Sequence, residues 1–172
     1  ILELGRRDRM QTERLSVKSF CTQFVESFLH GKSLAESVVV LDVVNDMGIY
    51  FDRNHLNQIL WNLLDNAIRH ASGKPGSVRL SAVADGSRGT VELHVIDDGS
   101  GVPEAVKAQI FEPFFTTHHL GTGLGLFIAR ELCEANGASL ELAADAACGH
   151  FIIAGRSDSC LLSEVKGAPA AS

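Results

Sequence analysis

Two asparagines, an arginine and a histidine recur within NLLDNAIRH, as Asn62, Asn66, Arg69 and His70. On a 3.6-residue period the two asparagines lie about 40° apart. Arg69 and His70 continue the same edge, so all four can face one groove. A carboxamide buried there without a partner costs about 1 to 3 kcal/mol, so each either bonds to backbone or meets something from outside. Amide oxygens are hard ligands suited to Mg²⁺, and a guanidinium suits phosphate. A second candidate is Asp97 in VELHVIDDGSGVP. Strand alternation places it at the end of an apolar face with Val91, Leu93 and Val95. It is either a turn acid bonding the amides of its own loop or an acceptor for a donor such as an exocyclic amine. In the second case Gly99 and Gly101 let a ring approach the backbone. A third candidate is the run Gly121, Gly123 and Gly125 before a helical pattern, where bare amides and the helix dipole can receive phosphate. The dinucleotide fingerprint GxGxxG is not completed, because Leu126 stands at its last glycine, and GxxxxGK[ST] occurs nowhere. His118 and His119 are neighbours whose side chains diverge, with no evident third ligand, so no metal site is expected there.

These groups need a frame, and the apolar pattern supplies one. Leu56, Ile59, Leu60, Leu63, Leu64, Ala67 and Ile68 follow the i, i+3, i+4, i+7 rule, so the asparagines ride on a helix that Asp52 caps. Val17, Phe20, Phe24, Val25 and Phe28 make an earlier helix behind Ser16. SVVVLDVV from Ser37 and GIYFD from Gly48 read as strands closing a hairpin, and strands follow at about 77 to 84 and 90 to 97. A short helix is expected near 103 to 109. GTGLGLFIARELCEANG reads as a Gly-rich entry to a helix ended by Gly137, and SLELAA with HFIIAG as a last hairpin.

The bulk numbers narrow the class. At 172 residues, 45% hydrophobic and 21% charged, the chain suits one globular domain with a sizeable core. A net charge of −6 with no local basic patch makes nucleic acid a poor partner. Cys21, Cys133, Cys148 and Cys160 form no CxxC pair, which argues against a thiolate zinc site and fits a reducing compartment, the cytoplasm by default. No window approaches the roughly 20 apolar residues of a membrane helix, and no signal-peptide pattern opens the chain.

Taken in order, NQILWNLLDNAIRHA, DDGSGVP, IFEPFFTT and GTGLGL closely resemble the N, G1, F and G2 boxes of the histidine-kinase ATP-binding domain, which shares a superfamily with gyrase, the Hsp90 chaperones and the MutL repair proteins. HLNQILWNLLDNA with EPFFTT and a short GTGLGL lid is most similar to the nitrogen-regulation and type IV pilus sensor kinases. The resemblance implies an α/β fold of the Bergerat type, a two-layer sandwich with helices packed on one face of a mixed β-sheet. It implies ATP and Mg²⁺ as ligands. Asn66 would coordinate the metal, Asn62 would support phosphate or metal, Arg69 would reach phosphate and His70 would line the nucleotide. Asp97 would accept from the adenine amine, with Gly99 and Gly101 shaping the base pocket. Phe114 and Phe115 would hinge a lid followed by Thr116, and Gly121, Thr122, Gly123, Leu124 and Gly125 would cradle phosphates.

Departures from the pattern choose a branch. The hydrolytic members carry a Glu one turn before the metal Asn as general base; Asn62 stands there, and an amide cannot take the proton. Transfer to a presented nucleophile is therefore favoured over a superfamily ATPase, with a non-catalytic nucleotide-sensing module as the other alternative. None of the seven histidines sits in the H-E-x-x-N-P type of context that marks a phospho-acceptor helix, so the acceptor is expected upstream of Ile1. Residues 1–14 are then read as the remnant of a dimerisation helix and linker, 15–155 as the ATP-binding catalytic domain and 156–172 as a flexible tail. The expected partners are the parent's own dimerisation and phospho-acceptor domain and a response regulator. The fragment itself is expected to be monomeric, and its parent a homodimer anchored in the inner membrane.

Overall fold

The computed structural model describes residues 9–117, 119, 121–144 and 146–158. Strand β1 (Thr12–Ser16) leads directly into helix α1 (Val17–Lys32), with Ser16 Oγ accepting the Ser19 amide at 3.2 Å as N-cap. Phe20, Phe24 and Phe28 stack along the buried face of α1 at 6.5 and 6.0 Å between centroids. Strand β2 (Val39–Asp42) and strand β3 (Gly48–Asp52) follow, and helix α2 (Arg53–His70) starts at once. Buried Asp52 caps α2 by accepting the amides of Asn54 at 2.9 Å and His55 at 3.1 Å. Every member of the expected apolar stripe of α2 is buried except Ile68, which is half-buried at its C-terminal end.

Strands β4 (Val78–Asp85) and β5 (Thr90–Asp97) form the centre of the sheet, and helix α3 (Gly125–Ala135) leads into β6 (Ser139–Leu142) and β7 (His150–Arg156). The main sheet has the order β2-β4-β5-β7-β6, with β2 parallel to β4 and every other pair antiparallel. It is mixed, and its buried face, with Leu80, Leu93, Val95 and Ile153, meets the helices in a two-layer sandwich. Strict burial alternation along β5 puts Val91, Leu93, Val95 and Asp97 on that face.

Three expectations are corrected. First, β2 and β3 form no hairpin. β3 pairs with β1 in a separate two-stranded ribbon, and β2 pairs with β4. The connection between them is held elsewhere: Asp46 Oδ1 accepts from Ser16 Oγ at 2.8 Å and the Lys18 amide at 3.2 Å, and Met47 O accepts the Val17 amide at 2.9 Å. The chain is thus tied to the start of α1 instead of turning back on β2. Second, the folded unit exceeds 15–155. Residues 12–14, assigned to a helix remnant, lie in β1, where Thr12 faces Asp52 and buried Leu15 faces Ile49. At the other end β7 runs through Arg156, Ser157 bridges to Ile49, and Asp158 pairs with Arg14 at 2.7 Å. The expected helix remnant before residue 9 and the flexible tail after 158 fall outside the described residues. Third, the helix expected near 103–109 is a single 3₁₀ turn, Glu104–Val106, behind Pro103.

Candidate functional site

A cavity of about 690 Å³ opens between α2, the end of β5, the loop after it and the Gly-rich entry to α3. Its size lies within the range of small-molecule pockets. Asn62, Asn66, Arg69, His70, Asp97, Gly101, Phe115, Thr116, Gly121, Thr122, Gly123 and Gly125 all line it. Gly99, Phe114 and Leu124 do not.

Asp97 sits at the deep end and is only 4% exposed. Its Oδ1 accepts the Gly99 amide at 2.8 Å, the turn bond expected of a DxG acid. Burial pushes its carboxyl above the ordinary range, opposed in part by that amide and by the nearby His70. Asp98 divides the work differently: its two oxygens accept the Ser72 amide at 2.7 Å and the Ser72 hydroxyl at 2.6 Å, which fastens the loop to the end of α2. Gly99 belongs to that fastening. A β-carbon there would lie 2.5 Å from the His70 carbonyl oxygen. The residue sequence reasoning missed here is Gly149, whose backbone passes so close that a β-carbon would collide with Asp97 Oδ2. Its carbonyl also accepts the Asp97 amide at 2.9 Å. Nothing near DAACGHF signals this, because the approach depends on β5 lying beside β7.

Along α2 the asparagines reach the cavity on the same edge as expected. Asn62 Nδ2 donates to the Gly125 carbonyl at 3.1 Å, so this side chain ties the first turn of α3 to α2. Arg69 leans back on its own helix, with Nη2 2.5 Å from Asp65 Oδ2. Lys32 of α1 takes the other Asp65 oxygen at 2.5 Å and lines the same cavity with Trp61. Lys32 lies outside the four boxes, and the resemblance assigns no role to Trp61 or Asp65 inside the first of them.

The opposite wall combines backbone with the side chains of Phe115, Thr116, Thr117 and Thr122, and Thr122 Oγ1 accepts the Leu124 amide at 3.4 Å. Leu124 caps α3 without a side-chain hydrogen bond, and no acidic residue stands in the first turn. The helix therefore presents amides and the positive end of its dipole to the cavity. Phe114 and Gly123 are tied together, the Phe114 amide donating to the Gly123 carbonyl at 2.9 Å. Both residues have positive φ, 65° and 69°, and a β-carbon on Gly123 would lie 2.5 Å from the Phe114 carbonyl carbon, so glycine is required there. The two phenylalanines split: Phe115 packs inward and lines the cavity, while Phe114 stands 76% exposed outside it. His118 lies outside the described residues.

A family model described as Histidine kinase-, DNA gyrase B-, and HSP90-like ATPase matches residues 51–157. The sensor protein kinase PilS of Pseudomonas aeruginosa is 39% identical over 145 residues, which cover 82% of this chain and 27% of PilS. The sensory histidine kinase/phosphatase NtrB of Rhodobacter capsulatus is 38% identical over 98 residues, covering 50% of this chain and 27% of NtrB. The chain thus spans little more than a quarter of either sensor kinase. Among solved structures, the catalytic domain of histidine kinase ThkA superposes with a TM-score of 0.72 at 27% identity, covering 86% of this chain and 96% of that one. The four boxes, the mixed sheet with helices on one face and a model match over more than half of the chain agree, and the chain belongs to the histidine kinase-, DNA gyrase B- and HSP90-like ATPase family.

Proposed function

We propose that the chain binds Mg²⁺-ATP in this cavity and passes the γ-phosphoryl group to a histidine on a separate dimerisation and phospho-acceptor domain, feeding a response regulator in two-component signalling. The observation that carries the reading is the pairing of two chemistries in one cavity. A buried carboxylate, Asp97, and the first turn of α3, whose N-cap residue makes no side-chain hydrogen bond, both line it. A carboxylate accepts from an amine and an uncapped helix start accepts an anion, and adenine nucleotides carry both.

The donor set also fits a nucleotide-borne metal. Among the described residues no three His, Cys, Asp or Glu side chains are grouped to hold an ion. The oxygen of Asn66 suits an ion that brings most of its ligands on phosphates and water, which is the habit of Mg²⁺. When bound, that ion neutralises phosphate charge. The chain's own residues do the rest. Asp97 accepts the adenine amine and fixes the base, Arg69 supplies positive charge, and the amides from Gly121 to Gly125 orient the phosphate tail. This is positioning and electrostatics, which is most of what phosphoryl transfer asks of a protein.

Asn62 favours transfer over hydrolysis. Its carboxamide cannot take a proton from water, and its nitrogen is engaged with Gly125. The acceptor domain, the dimeric parent and its inner-membrane anchorage on the cytoplasmic side belong to the same proposal. No helix among the described residues is long and apolar enough to cross a membrane. Calorimetric titration with ATP, with and without Mg²⁺, tests the site. Saturable binding that Mg²⁺ strengthens in the wild type and leaves unchanged in Asn66→Ala supports it, and equal binding of ATP and GTP contradicts the adenine assignment to Asp97.

A further inference from the structure

The wall of the cavity carries a cation that no motif names. Lys32 is the last residue of α1, and Ser33 stops the helix there in a left-handed conformation at φ 53°. The end of α1 is docked onto α2 through one ring. Phe28 meets Trp61 edge-on at 5.0 Å between centroids, and the Lys32 ammonium lies 5.8 Å from the centre of the same indole. Gly31 makes room for it, since a β-carbon at Gly31 would stand 3.3 Å from the Trp61 ring. Trp61, Asp65 and Arg69 follow one another at four-residue spacing, so a lysine seated over Trp61 arrives beside Asp65.

One carboxylate there holds two cations. Asp65 Oδ1 takes Lys32 Nζ at 2.5 Å and Oδ2 takes Arg69 Nη2 at 2.5 Å. A single negative charge between two positive ones leaves one positive charge over, facing the cavity of a chain whose net charge is −6. Burial works against the Asp65 carboxylate, yet Lys32 and Arg69 hold it below the usual range. Lys32 and Arg69 are 36% and 42% exposed, and ion pairs in that setting are weak enough to exchange partners.

We infer that Lys32 joins Arg69 as a two-cation site for the terminal phosphates of the nucleotide, with Asp65 as the counter-charge that both cations leave when the phosphates take them over. This rests on the nucleotide reading of the cavity. A polyphosphate carries more charge and more acceptor oxygens than one carboxylate, so both cations gain by moving onto it. The hold should therefore grow with the number of phosphates, and the base should not feel it.

The test is a calorimetric series of AMP, ADP and ATP against the 172-residue chain, with Lys32→Met, Lys32→Arg and Asp65→Asn beside the wild type and thermal melts to check that each is folded. The expected result for Lys32→Met is a loss of about tenfold in ATP affinity, the order of one charge-assisted contact, a smaller loss for ADP and none for AMP, with Lys32→Arg restoring ATP binding. Asp65→Asn, which releases both cations, should tighten ATP by about threefold through charge alone and leave AMP unchanged. An equal loss for AMP and ATP in a folded Lys32→Met, no loss at all, or weaker ATP binding in Asp65→Asn would overturn the inference while the nucleotide site stands. A wild type that binds none of the three nucleotides would overturn the nucleotide reading and the inference with it.

Discussion

The cavity has two walls made in opposite ways. The α2–β5 wall is side-chain architecture. Its helix is capped by a buried aspartate, its apolar stripe is sunk in the core, and three of its polar groups are paired with a neighbour, Asn62 with Gly125, Arg69 with Asp65 and Asp97 with Gly99. The wall at Phe114 and Gly123 is tied by one amide-to-carbonyl bond between two residues of positive φ and leads to a helix whose N-cap residue makes no side-chain hydrogen bond. In the proposed function the first wall selects which chemical groups are recognised. The second offers glycine amides beside threonine hydroxyls, and it owes less of its form to the core.

The comparison can be broken at four places, taken from the largest expected effect down. Leu63→Ala empties a fully buried position of α2 and should lower global stability by about 2 to 5 kcal/mol in chemical denaturation; a change no larger than that of a loop variant would mean that α2 is not the anchored wall. Asp97→Asn should weaken ATP binding by about 1.5 to 3 kcal/mol without lowering the melting temperature at pH 7. The sign follows from its raised carboxyl. The folded protein holds that proton more tightly than the unfolded chain, so ionisation opposes folding. The penalty is absent at low pH, sets in as pH climbs from the ordinary carboxylate value through the raised one, and persists above it. An asparagine escapes it. For the same reason ATP affinity of the wild type should fall on acidification at a higher pH than an ordinary carboxylate would give, and the affinity of the Asp97→Asn variant should stay flat over that range; matching profiles would remove Asp97 from the site.

Gly123→Ala probes the other wall. A left-handed alanine costs about 1 to 2 kcal/mol, and its β-carbon meets the Phe114 backbone. The expected outcome is weakened ATP binding with the main unfolding transition unmoved, and a cooperative loss of the whole fold would show that the loop is part of the core. Smallest of all, Phe114→Ala removes a ring that is 76% exposed and should change stability by no more than about 0.5 kcal/mol in the same denaturation measurement.

How far the sequence anticipated these walls depends on how local each signal is. The α2 stripe, its Asp52 cap and the alternation that turns Asp97 inward are set within a dozen residues, and all three stand as read. Pairings between distant segments were not legible. β2 and β3 are consecutive and β-branched, which suggests a hairpin, but their partners β4 and β1 are chosen by the tie of Asp46 to Ser16 and by the core. Charge-rich TERLS gives no strand signal because only Leu15 is buried. The same limit governs the site: Gly149 reaches Asp97 across two neighbouring strands, and Lys32 reaches Asp65 from another helix. The resemblance of the four boxes names the lining residues that sit in motifs and is silent about those that arrive by packing.

The proposed positioning of ATP in this cavity for transfer and not for hydrolysis determines where the γ-phosphate goes. It is tested most directly by incubating the chain with γ-labelled Mg²⁺-ATP and a separately supplied dimerisation and phospho-acceptor domain, then following label on the acceptor histidine and as free phosphate. Acid-labile label is expected on the acceptor, lost when its histidine is replaced, with negligible phosphate release by the chain alone. Steady release of free phosphate with no labelled acceptor would contradict it.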